Sequence, residues 1–137
     1  MIVADANLVA HKVIRGPESV LADAVEERDP AWVVPELCKH EFLNILGKAV
    51  RSRAFSAQDA LRLWNDSLER LRQMERPVHF ARALLLACRY SLTPYDCQYA
   101  ALAEALDIPL VTSDRELCTK LPHIAVSPEQ FAGRSRQ

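Results

Sequence analysis

TPYDCQYAALAEALDIPLVTSD, residues 93–114, is the stretch from which the fold of this chain can be inferred. The Thr-Pro pair predicts a helix start, because threonine caps helices and proline suits the first helical position. Asp96 then falls in the first turn, where a carboxylate faces the positive helix end. After an alanine-rich helix, an Asp-Ile-Pro break leads into Leu110-Val111, which is typical of a short strand buried in a parallel sheet. An acid, Asp114, follows directly after that strand.

A buried strand followed by an acid also occurs at the amino terminus, where Met1–Ala4 leads into Asp5. Trp32–Val34 and Ile124–Val126 predict two more strands, and Arg76–His79 is a candidate for another, whose proline suits a sheet edge. Between these strands the apolar spacing predicts helices at about 8–14, 18–28, 35–51, 56–74, 80–90 and 115–120. This alternation predicts an α/β fold with a parallel sheet and helices on both faces.

Length and composition indicate one globular domain over residues 1–137, with residues 133–137 expected to form a frayed tail. The net charge of −1 is unlike that of a protein that simply coats nucleic acid, which is usually basic. An RNA partner would therefore need local basic residues or a bound metal. We find no signal-peptide pattern and no apolar run of the ~20 residues that a membrane span needs, so we expect a cytoplasmic protein without membrane association.

Four acids are the candidates for chemistry. Asp5 and Asp114 follow buried strands, while Glu41 and Asp96 lie near the starts of helices that should pack beside those strands. If the first strand and the Leu110-Val111 strand are neighbours, all four acids can converge on one cleft. Crowded carboxylates raise each other's pKa, and a hard divalent cation relieves this repulsion. A metal held in this way can support hydrolysis of a phosphodiester bond.

Each acid also has a simpler structural interpretation. Asp114 could only cap the following helical turn, Asp96 could only be a favourable first-turn charge, and Asp5 could only be a turn residue. Glu41 fits such an interpretation less well, because no cation lies three or four positions away on its helix. The polar side chains that could orient ligands, or could instead satisfy backbone groups, are Asn7, Asn44 and Thr112.

The four cysteines are scattered, without zinc-site spacing, and we expect them to be buried or partly buried free thiols. The four histidines form no pair at ligand spacing either. Carboxylates are therefore the predicted metal ligands of this chain.

Three segments, MIVADAN, PELCKHEFLNIL and TPYDCQYAALAEALDIPLVTSDREL, together resemble the successive acidic motifs of PIN-domain ribonucleases, and most closely the VapC-type toxins of bacterial toxin–antitoxin pairs. The resemblance covers Met1–Val126. It implies a three-layer α/β/α fold with a small parallel sheet of order 3-2-1-4-5. It also implies Mg²⁺- or Mn²⁺-dependent endonuclease activity on RNA, a homodimer, and a cognate antitoxin that occupies the active-site groove. By position, it assigns metal binding and catalysis to Asp5, Glu41, Asp96 and Asp114, with Thr112 and Asn7 as supporting groups.

The leading functional interpretation is therefore a metal-dependent ribonuclease that prefers single-stranded RNA. The main alternative is a catalytically silent PIN-like module that acts by docking a protein partner. A phosphatase of the haloacid dehalogenase type also begins with a strand and an Asp, but Asn7 stands where that class needs a second Asp. The RNA target and the choice between one and two metal ions are left open by the sequence.

Overall fold

Four short parallel strands form the centre of the molecule. The computed structural model describes residues 1–133, and positions 134–137 of the predicted tail lie outside the described residues. The strands are β1 (Ile2–Ala4), β2 (Trp32–Val33), β3 (Leu110–Val111) and β4 (Ala125–Val126), in the order β2-β1-β3-β4. Every strand residue is buried, as expected for a parallel sheet covered on both faces.

Eight helices surround this sheet within residues 1–133. They are α1 (Ala6–Val13), α2 (Ser19–Arg28), α3 (Leu37–Arg51), α4 (Ala57–Met74), α5 (Phe80–Tyr90), α6 (Pro94–Leu106), α7 (Arg115–Lys120) and α8 (Pro128–Ala132). Helix α6 packs on β1 and β3, and α5 packs on α6. Elsewhere, α1 contacts both α2 and α3. Helix α4 packs on α3, and α8 packs on α2. The predicted class, a small parallel sheet flanked by helices, is confirmed. None of the helices in the described part of the chain has the length and apolar character needed to cross a membrane.

The predicted strand at Arg76–His79 is wrong. In its place a single parallel bridge joins Val34 to Glu75, beside β2. Val34 donates to the carbonyl of Met74 at 3.0 Å and accepts from the amide of Arg76 at 2.9 Å. The pairing stops there because the chain after Val34 leaves the extended conformation and enters α3 at Leu37. The sheet order otherwise follows the prediction, with its outermost strand reduced to this bridge.

Helix α6 begins as its sequence predicts. The Thr93 hydroxyl accepts the backbone N–H of Asp96 at 3.1 Å, and Pro94 is the first helical residue. The helix ends at Leu106, and the capping residue Asp107 has a left-handed backbone. Alanines at positions 100, 101 and 103 are buried, and their small side chains allow α6 to lie close to the sheet. The start of α6 is therefore fixed beside the ends of β1 and β3.

Helix α3 is oriented by its apolar face. Cys38, Phe42 and Leu46 are buried at intervals of four residues, and the Phe42 ring stacks on Trp64 of α4 at a centroid distance of 6.3 Å. The helix begins at Leu37, two residues later than its sequence suggests. With these side chains in the core, Glu41 lies at the edge of the buried face and is half-buried.

Candidate active site

A cleft of about 360 Å³ opens at the carboxyl ends of β1 and β3. These two strands pair directly, with Ala4 opposite Val111, so Asp5 and Thr112 emerge at the same edge of the sheet. The strand order reverses at this point, which is where ligands bind in open α/β sheets. The cleft brings together all six predicted site residues: Asp5, Asn7, Glu41, Asp96, Thr112 and Asp114.

The Asp5 carboxylate is held by three hydrogen bonds. Its Oδ1 accepts the Leu8 amide at 2.8 Å, which caps α1. Its Oδ2 accepts the Thr112 hydroxyl at 2.7 Å and the Ser113 amide at 3.3 Å. Burial raises the pKa of Asp5, and the hydrogen bonds oppose that rise. Asp5 is thus both a structural cap and a fixed acid of the cleft.

Thr112 connects Asp5 to Asp114. Its buried hydroxyl donates to Asp5 and accepts the backbone N–H of Asp114 at 3.1 Å. The Oδ1 atom of Asp114 accepts the Leu117 amide at 3.0 Å and caps α7, as its simpler interpretation predicts. No hydrogen bond from a described residue reaches Oδ2 of Asp114. One oxygen of this acid is therefore available to the cleft.

Glu41 and Asp96 approach the cleft from α3 and α6. Burial raises the pKa of Glu41, and repulsion from Asp96 and Asp5 raises it further, while a hydrogen bond from Tyr99 opposes the rise. Burial also raises the pKa of Asp96, a hydrogen bond with Thr93 opposes the rise, and repulsion from Asp114 and Glu116 adds to it. The cleft acids therefore lie within electrostatic reach of one another and disfavour full ionisation of the group.

The donor chemistry fits a hard divalent cation. Carboxylate and hydroxyl oxygens line the cleft, and these are the ligands that Mg²⁺ takes in proteins, usually one or two carboxylates completed by waters. Within residues 1–133, no three His, Cys, Asp or Glu side chains are placed to hold one ion directly. The spacing is thus compatible with an ion held partly through water, but not with a closed cage of three acids.

The thiols near the cleft are poor competitors for a metal. Burial raises the pKa of Cys38 to about 12 and that of Cys97 to about 11, so both are protonated at neutral pH. Metal ligation requires the thiolate. All four cysteines are free, but Cys88 is exposed on α5, which contradicts the expectation that every thiol would be at least partly buried.

Two cleft residues, Lys48 and Tyr99, were not identified from the sequence. Lys48 lines the cleft, and within the described part of the chain it forms no ion pair. An ammonium group there can pair with a phosphate oxygen. The spacing along α3 could have identified Lys48 from the sequence. Asn44 and Lys48 come three and seven residues after Glu41, which places all three on one face of the helix. Tyr99 lies three residues after Asp96 on α6, and only the fold shows its contact with Glu41.

Comparisons with known proteins agree with this arrangement. Residues 2–120 match the sequence model of the family described as the PIN domain. Ribonuclease VapC3 of Pyrobaculum aerophilum is 27% identical over 126 residues, covering 88% of this chain and 95% of the relative. The crystal structure of PAE2754 from Pyrobaculum aerophilum matches with a TM-score of 0.70 at 22% identity, over 96% of this chain and 85% of the other. A toxin–antitoxin complex from Klebsiella pneumoniae matches with a TM-score of 0.66 at 15% identity, over 93% and 98%.

Proposed function

Because this chain belongs to the PIN-domain family, we propose that it is a metal-dependent endoribonuclease, the toxin of a toxin–antitoxin pair. The observation that carries the proposal is the cleft at the switch point of the sheet, which is lined by Asp5, Glu41, Asp96 and Asp114. The name of the Pyrobaculum relative, a VapC ribonuclease, supports the same class of reaction. The substrate would be RNA, the cation Mg²⁺ or Mn²⁺, and the compartment the cytoplasm.

In this proposal each residue of the cleft has a separate role in hydrolysis. A bound Mg²⁺ or Mn²⁺ would supply an activated water and stabilise the leaving oxygen. Asp5, Asp96 and Asp114 would hold the ion directly or through water, and Glu41 would complete the pocket as the fourth metal-binding acid and orient the attacking water. Thr112 would keep Asp5 in place through its 2.7 Å hydrogen bond. Other cleft residues serve the substrate: Asn7 at the exposed rim would orient a water or a ligand, and Lys48 would pair with a phosphate of the RNA.

The direct test is cleavage of a single-stranded RNA by the purified protein with Mn²⁺ present. We expect cleavage that a chelator stops and that fresh Mn²⁺ restores, because carboxylates alone cannot stabilise the transition-state charge on the phosphate. Denaturing gel electrophoresis of a labelled RNA measures it. Failure both to bind Mn²⁺ and to cut RNA would instead favour the silent docking module.

The antitoxin partner is proposed on the resemblance of the sequence and on the fold shared with the Klebsiella toxin–antitoxin complex. An antitoxin that occupies the cleft would cover its acids and exclude RNA. The same cleavage assay can include the product of the neighbouring reading frame. If that protein binds the chain tightly and inhibits RNA cleavage, the result supports the proposed antitoxin. If it neither binds nor changes the cleavage rate, the result counts against the proposal.

We also propose that the chain forms a homodimer through α5. Phe80, Leu84 and Leu85 of this helix are 70%, 55% and 60% exposed. These three side chains are apolar, so they can pack against a second copy of themselves without like-charge repulsion, as a two-fold interface requires. Exposed apolar residues concentrated in this way on one helix are typical of interaction surfaces.

Substitution Leu84→Glu should convert the dimer to a monomer, because it would place two like charges at the centre of the two-fold contact. Size-exclusion chromatography with light scattering measures the mass against that of the 15.4 kDa chain. Val20→Glu, a similar change at an exposed residue of α2, should leave the dimer intact. A monomeric wild-type protein, or a Leu84→Glu protein that still dimerises, would contradict this interface.

A further inference from the structure

Tyr99 is a buried residue that touches one of the four acids. Its side chain is only 4% exposed, and its hydroxyl donates a 2.6 Å hydrogen bond to Oε1 of Glu41. The two residues come from different helices, α6 and α3, and are 58 positions apart. Asp96 lies one helical turn before Tyr99, so α6 supplies one cleft acid and also contacts another.

We propose that Tyr99 is a positioning residue, which holds the Glu41 carboxylate towards the cation site of the cleft. This inference rests on the proposed metal-dependent function. Within residues 1–133, the Tyr99 hydroxyl is the hydrogen-bond donor that the structure gives to the Glu41 carboxylate. The bond occupies one oxygen of Glu41 and leaves the other free to face the cleft.

Glu41 needs such a contact because the charges that act on it, Asp96 and Asp5, repel it, and Lys48 of the same cleft forms no ion pair with it. Its neighbours in the cleft include Asp5 and Asp96, and no cation lies three or four positions away on α3. A half-buried glutamate with three rotatable bonds would turn towards solvent to escape these charges. A hydrogen bond to an ionised group is among the stronger polar contacts in proteins, and it opposes this movement.

Tyr99 is suited to this role because it cannot easily move. Its ring is enclosed by the core, and its hydroxyl also lies near the thiol of the fully buried Cys38. A tyrosine has only two side-chain torsions, so a packed ring fixes the position of its hydroxyl. Substituting a residue that hydrogen-bonds to a metal ligand and orients it typically lowers metal affinity or activity by about 10- to 100-fold.

The test is the substitution Tyr99→Phe, which removes the hydroxyl and keeps the ring. We expect Mn²⁺ binding, measured by isothermal titration calorimetry without RNA, to weaken by about 10-fold or more, and RNA cleavage to slow comparably. In a Glu41→Gln background, the same substitution should change Mn²⁺ affinity very little, since the ligand it positions is already lost. Tyr90→Phe, which removes a hydroxyl outside the cleft, should match the wild type.

The outcomes separate the two proposals. If the wild-type protein binds Mn²⁺ and cuts RNA while Tyr99→Phe does both equally well, the positioning role of Tyr99 is overturned and the proposed function stands. The same holds if Tyr99→Phe weakens Mn²⁺ binding by the same factor in the wild-type and the Glu41→Gln backgrounds, because that result describes a general structural effect. If the wild-type protein neither binds Mn²⁺ nor cuts RNA, both proposals fall.

Discussion

Substitution Asp96→Asn is expected to reduce RNA cleavage by more than about 100-fold and to leave the metal-free protein at least as stable as the wild type. The loss should exceed the ~10- to 100-fold typical of supporting residues, because Asp96 is proposed to hold the cation itself. The stability should not fall, because burial and repulsion from Asp114 and Glu116 disfavour the charge of Asp96 by more than its contact with Thr93 favours it. Activity and stability therefore change independently, as expected for a residue retained for function.

The fold around Asp96 should tolerate this change. The 3.1 Å bond that caps α6 runs from the backbone N–H of Asp96 to the Thr93 hydroxyl, and the Asp96 carboxylate also interacts with that hydroxyl, whose hydrogen bond the amide oxygen of an asparagine can accept as well. An asparagine retains that N–H and nearly the same volume. Thermal unfolding in the presence of a chelator measures stability, and initial cleavage rates with Mn²⁺ measure activity.

Glu104→Gln is the matched control on the same helix. Glu104 lies outside the cleft, and the guanidinium of Arg82 lowers its pKa. This substitution should leave the cleavage rate unchanged and slightly reduce stability, the opposite pattern to Asp96→Asn. An Asp96→Asn protein that cuts RNA at the wild-type rate, or that is clearly less stable than the wild type without metal, would remove Asp96 from the proposed site.

The parts of the site predicted from the sequence are those encoded by local patterns. A short apolar strand followed by an acid marks Asp5 and Asp114, because the end of a parallel strand directs the next residues to a common edge. The threonine–proline start of α6 fixes Asp96 in the first turn. Each pattern requires only a few adjacent residues, so it can be recognised without the fold.

The parts that could not be predicted depend on contacts between distant residues. The Tyr99–Glu41 bond joins positions 58 apart, and neither residue carries a local signal of the other. The edge strand was also misjudged, because the bridge between Val34 and Glu75 depends on where α4 ends and on where the chain after Val34 turns into α3. Side-chain packing and sheet termination are tertiary effects that override local propensity.

The second large effect is a stability that depends on pH in opposite directions with and without metal. In the metal-free protein, burial raises the pKa values of Asp5, Glu41 and Asp96 above 3.8, 4.5 and 3.8, their ordinary values, and repulsion from other acids adds to the rise for Glu41 and Asp96. The folded state then binds protons at a pH where the unfolded chain does not. The metal-free protein should therefore become more stable as the pH falls from neutral towards about 4.5.

Below that range the trend should reverse. Asp23, Glu26 and Glu104 have pKa values lowered by partners that include Arg15, Lys12, Arg70 and Arg82. A lowered pKa stabilises the folded state above the ordinary pKa and loses that contribution as the pH falls. These ion pairs lie largely at the surface, so their combined effect should be modest and should weaken with salt.

Saturating Mg²⁺ should change the sign of the trend between neutral pH and about pH 5, because the cation binds the ionised carboxylates and competes with protons for them. At a free concentration 100 times its Kd, one bound ion adds about 2.7 kcal/mol to the free energy of unfolding, and acidification removes this contribution. Differential scanning calorimetry from pH 5 to pH 8, with Mg²⁺ or with chelator, measures both slopes.

Asp96→Asn is the matched variant for this experiment, since it should reduce both slopes by removing one titrating ligand. The reversal of sign is diagnostic, because acids that served only as helix caps would give the same pH dependence with or without Mg²⁺. If the two calorimetric series run parallel, the cleft acids do not share a cation, and cleavage of RNA by this chain would have to proceed without one. If the two calorimetric series have slopes of opposite sign, the bound ion relieves the repulsion among the acids that follow β1 and β3 and lie on α3 and α6. The charges that destabilise the metal-free protein are then the same charges that bind the cation.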